Sequence, residues 1–158
     1  MIRLRLALPV LIALCAPLCL PAQSASSTQT VLFVGPAIAH SPAGSHSELQ
    51  AGFAFDAAPP NSWGGALVEI GYLGGTDDSG FASLDYMAAW QSGTSCLRPF
   101  VVAGYTRLFR IGNALNLGGG FDLPLAGARG LRFELRDYHS SGRSDIGFRI
   151  GLVFYISD

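Results

Sequence analysis

The sequence contains no lysine; beside three histidines, its ten basic residues are all arginine. Charged residues of both signs make up only 13% of the chain, about half of the ~25% usual for soluble domains. Cysteine is nearly absent. Cys15 and Cys19 fall in the N-terminal apolar stretch and Cys96 is the only cysteine beyond it, so no intramolecular disulfide is expected to brace the fold. Past that stretch there is no apolar run of about 18 residues, which excludes a conventional transmembrane helix. No cluster of positive charge exists to attract nucleic acid.

The N-terminus has the order of a secretory signal. Arg3 and Arg5 precede an apolar stretch from Leu6 to Leu20, broken by Pro9 and Pro17. Ala22 and Ser24 then stand three and one residues before a possible cut. The stretch is too short and too proline-broken for a membrane anchor. Leu14 and Leu18 stand before the two cysteines where a lipoprotein would need small residues. The reading is therefore a signal peptide over 1–24 and one domain over 25–158. Without Arg3 and Arg5 the remaining chain carries a net charge of about −3.

Punctuation recurs along that domain. Turn-forming clusters occur at His40–Ser45, Asp56–Asn61, Gly74–Gly80, Gln91–Ser95, Arg110–Asn113, Pro124–Gly130 and Ser140–Ser144. They separate eight segments of roughly ten residues, the length at which a tilted strand crosses a bilayer. Within most segments apolar and polar residues alternate. Ile146, Phe148, Ile150, Leu152, Phe154 and Ile156 share one face of the last segment. Leu131, Phe133 and Leu135 alternate with Arg132, Glu134 and Arg136 in the seventh. The first and fifth segments are apolar on both faces, and Pro36 argues against the first as a central strand. The pattern predicts an all-β fold: an eight-stranded antiparallel up-and-down barrel.

Alternation does not say which face is inside. A soluble lipocalin-like barrel would turn its apolar face inward around a ligand. Here the polar face is rich in small residues and single charges, which suits the narrow lumen of eight strands. The apolar face carries Phe55, Tyr72, Trp90, Phe121 and Phe154 near segment ends, like the aromatic girdles of a bilayer interface. A transmembrane barrel is therefore expected. Its lumen would hold Glu48, Glu69, Asp85, Arg132, Glu134, Arg136 and Arg149, with Arg107 joining if its ambiguous segment turns that way. Opposite charges in so narrow a space must pair, so the expected role of these residues is to fill the barrel, not to line a pore.

Several stretches look like the small outer-membrane β-barrel family that includes the OmpA transmembrane domain and OmpX. Arg98–Tyr105 resembles that family's strand opening on Arg-Pro-aromatic. Asn113–Asp122 resembles its glycine-rich strand, and Gly130–Tyr138 its penultimate one. Arg149, Gly151, Phe154 and Ile156 resemble the closing-strand signal that the family presents to the barrel-assembly machinery, although Ser157 and Asp158 follow where many members end on an aromatic residue. The resemblance implies an integral barrel in the outer membrane of a Gram-negative-type bacterium. Its expected partners are outer-membrane lipids and, during biogenesis, that machinery. No small-molecule substrate, cofactor or metal is implied.

One alternative invokes catalysis. His139 and Ser141, with Asp145 nearby, invite a hydrolase hypothesis, and the His-x-Ser pair resembles that of the lipid A deacylase barrels. The match stops there: Gly142 stands where those enzymes have Asn, and no acid precedes Asp158 on the final strand. His40, His46 and His139 have no ordered metal-ligand spacing. Asp77 and Asp78 read as solvated turn acids.

Overall fold

A computed structural model describes residues 28–57, 64–75, 78–90, 97–125 and 127–156. The proposed signal peptide, Asp77, Cys96 and most of the connectors at 56–61 and 91–95 lie outside the described residues. Eight strands follow one another: β1 (Thr28–Ser41), β2 (Gly44–Ala57), β3 (Gly64–Gly74), β4 (Ser79–Ala89), β5 (Arg98–Leu108), β6 (Gly112–Pro124), β7 (Arg129–Ser140) and β8 (Arg143–Ile156). Each pairs antiparallel with its neighbours in sequence, and β8 closes on β1. The fold is the closed up-and-down barrel that the alternation predicts.

The strands are longer than expected, because the hairpins are tighter than their composition suggests. His40 and Ser45 pair across β1 and β2, and Ser41 pairs with Gly44, which leaves Pro42 and Ala43 as the turn. Ser140 pairs with Arg143, which leaves Ser141 and Gly142. Gly142 has φ 79°, a left-handed conformation that glycine adopts at no steric cost. Arg143 and Asp145 are therefore strand residues, not loop residues. Asp78 is exposed between β3 and β4; the Gly75 amide donates to its Oδ1 at 2.8 Å and holds that carboxyl below the usual carboxylate range.

The structure also settles the two ambiguous segments. In β1, Val31, Phe33, Ala37 and Ala39 are buried in the lumen, while Leu32, Val34 and Ile38 face out. In β5, Phe100, Val102, Thr106 and Leu108 are inward, and Val101, Tyr105 and Arg107 are outward. Pro36 does not exclude β1 from a central place, since β1 pairs along its full length with β2. Its ladder with β8 instead skips Gly35 and Pro36, running from Val34↔Ile150 straight to Ala37↔Gly147. Proline has no N–H to give that ladder, so the exception is confined to one two-residue gap.

At this gap the backbones come very close. A Cβ built on Gly35 would stand 1.8 Å from the Phe148 carbonyl oxygen. Only glycine fits there, because the obstacle is main chain and cannot rotate away. Gly35→Val is expected to destabilise the barrel by about 1–3 kcal/mol through overpacking. The readout is the thermal transition of protein refolded into detergent micelles. A transition at the wild-type temperature would show that β8 yields there at no cost.

Candidate functional site: the charged lumen

The inward positions of the strands bring the polar residues together along the barrel axis. Glu48, Glu69, Asp85, Arg132, Glu134, Arg136 and Arg149 are all buried there. Arg107 is not among them: it is exposed on the outer wall, where its Nη1 donates to Asn113 Oδ1 at 2.7 Å.

The central group is built around two arginines. Arg136 is fully buried. Its guanidinium donates to Glu69 at 2.9 Å, Asp85 at 2.9 Å, Asn116 at 2.8 Å and Glu134. Arg149 donates to Glu69 at 3.1 Å and to Gln50 at 2.9 Å. Its guanidinium carbon also lies 4.2 Å from the Phe33 ring centre and 5.5 Å from that of Tyr138, within range of cation–π attraction. Asn116 extends the network by donating to Asp85 at 2.6 Å and Thr106 at 2.8 Å. Thr106 in turn shares a 2.7 Å hydrogen bond with Ser83. Seven strands, β2 to β8, are thereby tied across the axis through one side chain or the next.

Two smaller groups flank it. Toward the chain termini, Arg132 donates to both oxygens of Asp122, at 2.7 and 3.0 Å, and rests over Phe100 at 4.5 Å. Arg98 reaches Asp122 at 3.4 Å. Asp56 is fully buried beside them, and its carboxylate oxygens have no hydrogen-bond partner among the described residues. Arg132 and Arg98 lie close enough to interact with it electrostatically. Toward the hairpin end, Arg143 donates to Asp145 at 2.7 Å and Glu48 at 2.7 Å, while His46 meets Glu48 at 3.1 Å. Asp56, Arg98, Asp122, Arg143 and Asp145 stand outside the lumen set expected from sequence. Asp56 and Asp122 do fall on polar faces of alternating segments; Arg143 and Asp145 are obscured by the apparent loop around them.

Large polar side chains fit because glycines stand beside them. Arg136 pairs across the sheet with Gly118 on one side and Gly147 on the other. Asp85 pairs with Gly104, Glu134 with Gly120, and Arg132 with Gly151. A Cβ on Gly104 would stand 2.1 Å from Asp85 Oδ1, and one on Gly147 would stand 1.8 Å from Gln50 Nε2. The glycine gives up the volume that its neighbour occupies.

The outer wall is the inverse of a soluble surface. Leu117 is 67% exposed, Leu84 64% and Ile70 58%, with further large apolar residues on every strand. In water this would be a continuous apolar patch far beyond what monomers tolerate. On β8 the outward residues from Ile146 to Ile156 span ten steps, about 33 Å along the strand. At a tilt of ~40° that is about 25 Å of height, the thickness of the apolar band of outer-membrane barrels. Of the closing-strand residues, Arg149 and Gly151 face the lumen, while Phe154 and Ile156 lie on the outer wall near the termini.

His139 and Ser141 of the hydrolase hypothesis line one cleft, but the acid is not brought to them. His139 is exposed on the outer wall and Ser141 lies in the hairpin turn. Asp145 is buried on the opposite face and is held by Arg143. The other nearby acid, Asp137, accepts from Ser144 at 2.7 Å. A hydrolytic triad needs its acid on the histidine. The three histidines are also dispersed: His40 and His139 are outside and His46 is at the lumen mouth.

No family model and no curated protein matches the sequence. Solved structures do match the fold. The crystal structure of Neisserial surface protein A is similar over 85% of this chain and 100% of its own length, with a TM-score of 0.64 at 13% identity. The N-terminal β-barrel domain of Pseudomonas aeruginosa OprF aligns with a TM-score of 0.60 at 15% identity, covering 82% of this chain and 98% of that domain. A de novo designed transmembrane β-barrel aligns at 0.56 with 14% identity, over 85% and 98% of the two chains. The fold is thus that of the small eight-stranded membrane barrels, reached here with little sequence in common.

Proposed function

We propose that this chain is an integral β-barrel of the outer membrane of a Gram-negative-type bacterium, exported by a cleaved signal peptide, with a structural or interaction role and no catalytic activity. The observation that carries the reading is the inverted distribution of polarity: ion pairs inside, leucine, isoleucine and aromatic side chains outside. In a bilayer that arrangement places each group in the solvent it prefers. The lumen network then acts as an internal brace that fills the space through which a porin-like channel would conduct.

With both termini in the periplasm, the usual topology, the four tight hairpins face outward. Membrane lipids contact the wall, and the assembly machinery reads Arg149, Gly151, Phe154 and Ile156 on β8. A soluble binding barrel is the weaker reading, because an apolar ligand would meet arginine and carboxylate in the lumen. The test is fractionation of envelopes followed by electrophoresis with and without boiling. The protein is expected in the outer-membrane fraction, with a band that shifts on heating. Recovery in the soluble periplasm with no heat shift would overturn the proposal.

A further inference from the structure

Of the eight arginines beyond the N-terminal stretch, Arg98, Arg132, Arg136, Arg143 and Arg149 are tied to carboxylates within the barrel. Arg107 is different. It is exposed on the outer wall near the hairpin end, and its hydrogen-bond partner is the neutral Asn113. No carboxylate among the described residues forms an ion pair with it. Arg110, in the hairpin just beyond, lies close enough to Asp78 to feel its charge. Arg107 thus offers an unbalanced cation at the level where the apolar wall gives way to polar residues.

Beside it, an open cleft of about 320 Å³ lies between the tips of the β5–β6 and β7–β8 hairpins. The register explains its shape. Tyr105, Leu115 and His139 form one row across β5, β6 and β7, and Arg107 and Asn113 stand in the next row toward the hairpins. Rows two residues apart along a strand are about 7 Å apart, and adjacent strands about 5 Å. Asn113, His139 and Ser141 line the cleft, and Arg107 borders it through its hydrogen bond to Asn113. Below them the wall continues into Leu117 and Leu135, both well over half exposed. The neighbouring carboxylate, Asp137, is one row down and accepts the Ser144 hydroxyl.

From this we infer that the cleft binds the phosphate-bearing headgroup of a membrane lipid. Arg107 supplies a charge-assisted hydrogen bond to the phosphate, and His139, Asn113 and Ser141 are the polar groups around it. Tyr105 and Leu115 receive the first methylenes, so that the acyl chains run down the apolar wall. A free anion gains nothing from that lower half, which is why a lipid is the favoured occupant. The inference rests on the barrel being embedded, as proposed above.

The test is native mass spectrometry of the folded mature protein released from detergent micelles supplemented with phosphatidylglycerol. Wild type is expected to retain one such lipid. Arg107→Gln is expected to weaken retention about tenfold, as loss of one charged hydrogen bond would, and Arg107→Lys to weaken it less. Arg129→Gln, which removes an exposed arginine at the opposite rim, is expected to leave it unchanged. Retention by Arg107→Gln equal to wild type would overturn the inference. So would equal retention of diacylglycerol, which has no phosphate, or displacement of the lipid by millimolar inorganic phosphate. Boiled and unboiled gels of every variant separate this from the membrane reading: absence of a heat shift in wild type would overturn the embedding itself.

Discussion

Arg136→Met is expected to destabilise the folded barrel by about 3–5 kcal/mol, the range for breaking a buried ion pair by removing one partner. The loss is not chiefly the loss of the guanidinium's own hydrogen bonds. Methionine is also long and unbranched and would keep much of the packing. It leaves behind Asp85 without its cation, Glu134 without the closer of its two, and Glu69 with Arg149 alone. Three carboxylates around one arginine in a closed lumen repel one another and have little water to turn to. The measurement is equilibrium unfolding in urea of protein folded into lipid vesicles, monitored by tryptophan emission. A compensated variant sharpens it: Arg136→Met with Asp85→Asn and Glu134→Gln should recover a large part of the loss. Full stability of the single variant would mean that the network does not brace the barrel.

Ile150→Arg tests the opposite face. Ile150 is outward near the middle of β8, between Phe148 and Leu152 on the same wall. An arginine at the midplane of a barrel's lipid face costs about 2–4 kcal/mol, whereas on the water-facing side of a soluble barrel the same change costs about 0.5 kcal/mol or less. Two positions on one strand thus respond in opposite senses. The native arginine at 149 is paired inside the lumen, whereas an arginine at 150 is penalised. Unfolding from vesicles at unchanged urea midpoint would show that Ile150 does not face lipid.

Much of the architecture was legible in the sequence, and the reason is the period. Outward residues of β6, β7 and β8 alternate so cleanly with glycine and charge that strand, face and barrel follow together. β1 and β5 were opaque because both of their faces are apolar. The two aromatic residues of the inward set there, Phe33 and Phe100, have arginines against them: Arg149 over Phe33 and Arg132 over Phe100. Apolar residues can be lumen residues when they face a guanidinium, and alternation has no means of saying so. Arg143 and Asp145 were hidden by Ser140-Ser141-Gly142, which reads as a longer loop than the two residues that the hairpin uses. Which charge meets which was not legible at all, since pairing is decided by the register between strands, and register is a property of two segments taken together.

The glycines beside the lumen charges bear on that same register. A strand that slips by two residues keeps its faces, so the outer wall barely discriminates: Leu135 would meet Ile150 in place of Phe148, one apolar residue for another. The lumen is not indifferent. In the native alignment of β7 and β8, Glu134 lies opposite Arg149, with Arg136 opposite Gly147 and Arg132 opposite Gly151. A slip of two in one direction would bring Arg136 against Arg149. A slip of two in the other would bring Arg132 against Arg149. Either error sets two guanidinia side by side in a space vacated for one. The same residues that fill the barrel therefore act as a lock on its alignment, rejecting the two nearest misfolded barrels that the lipid-facing wall would accept.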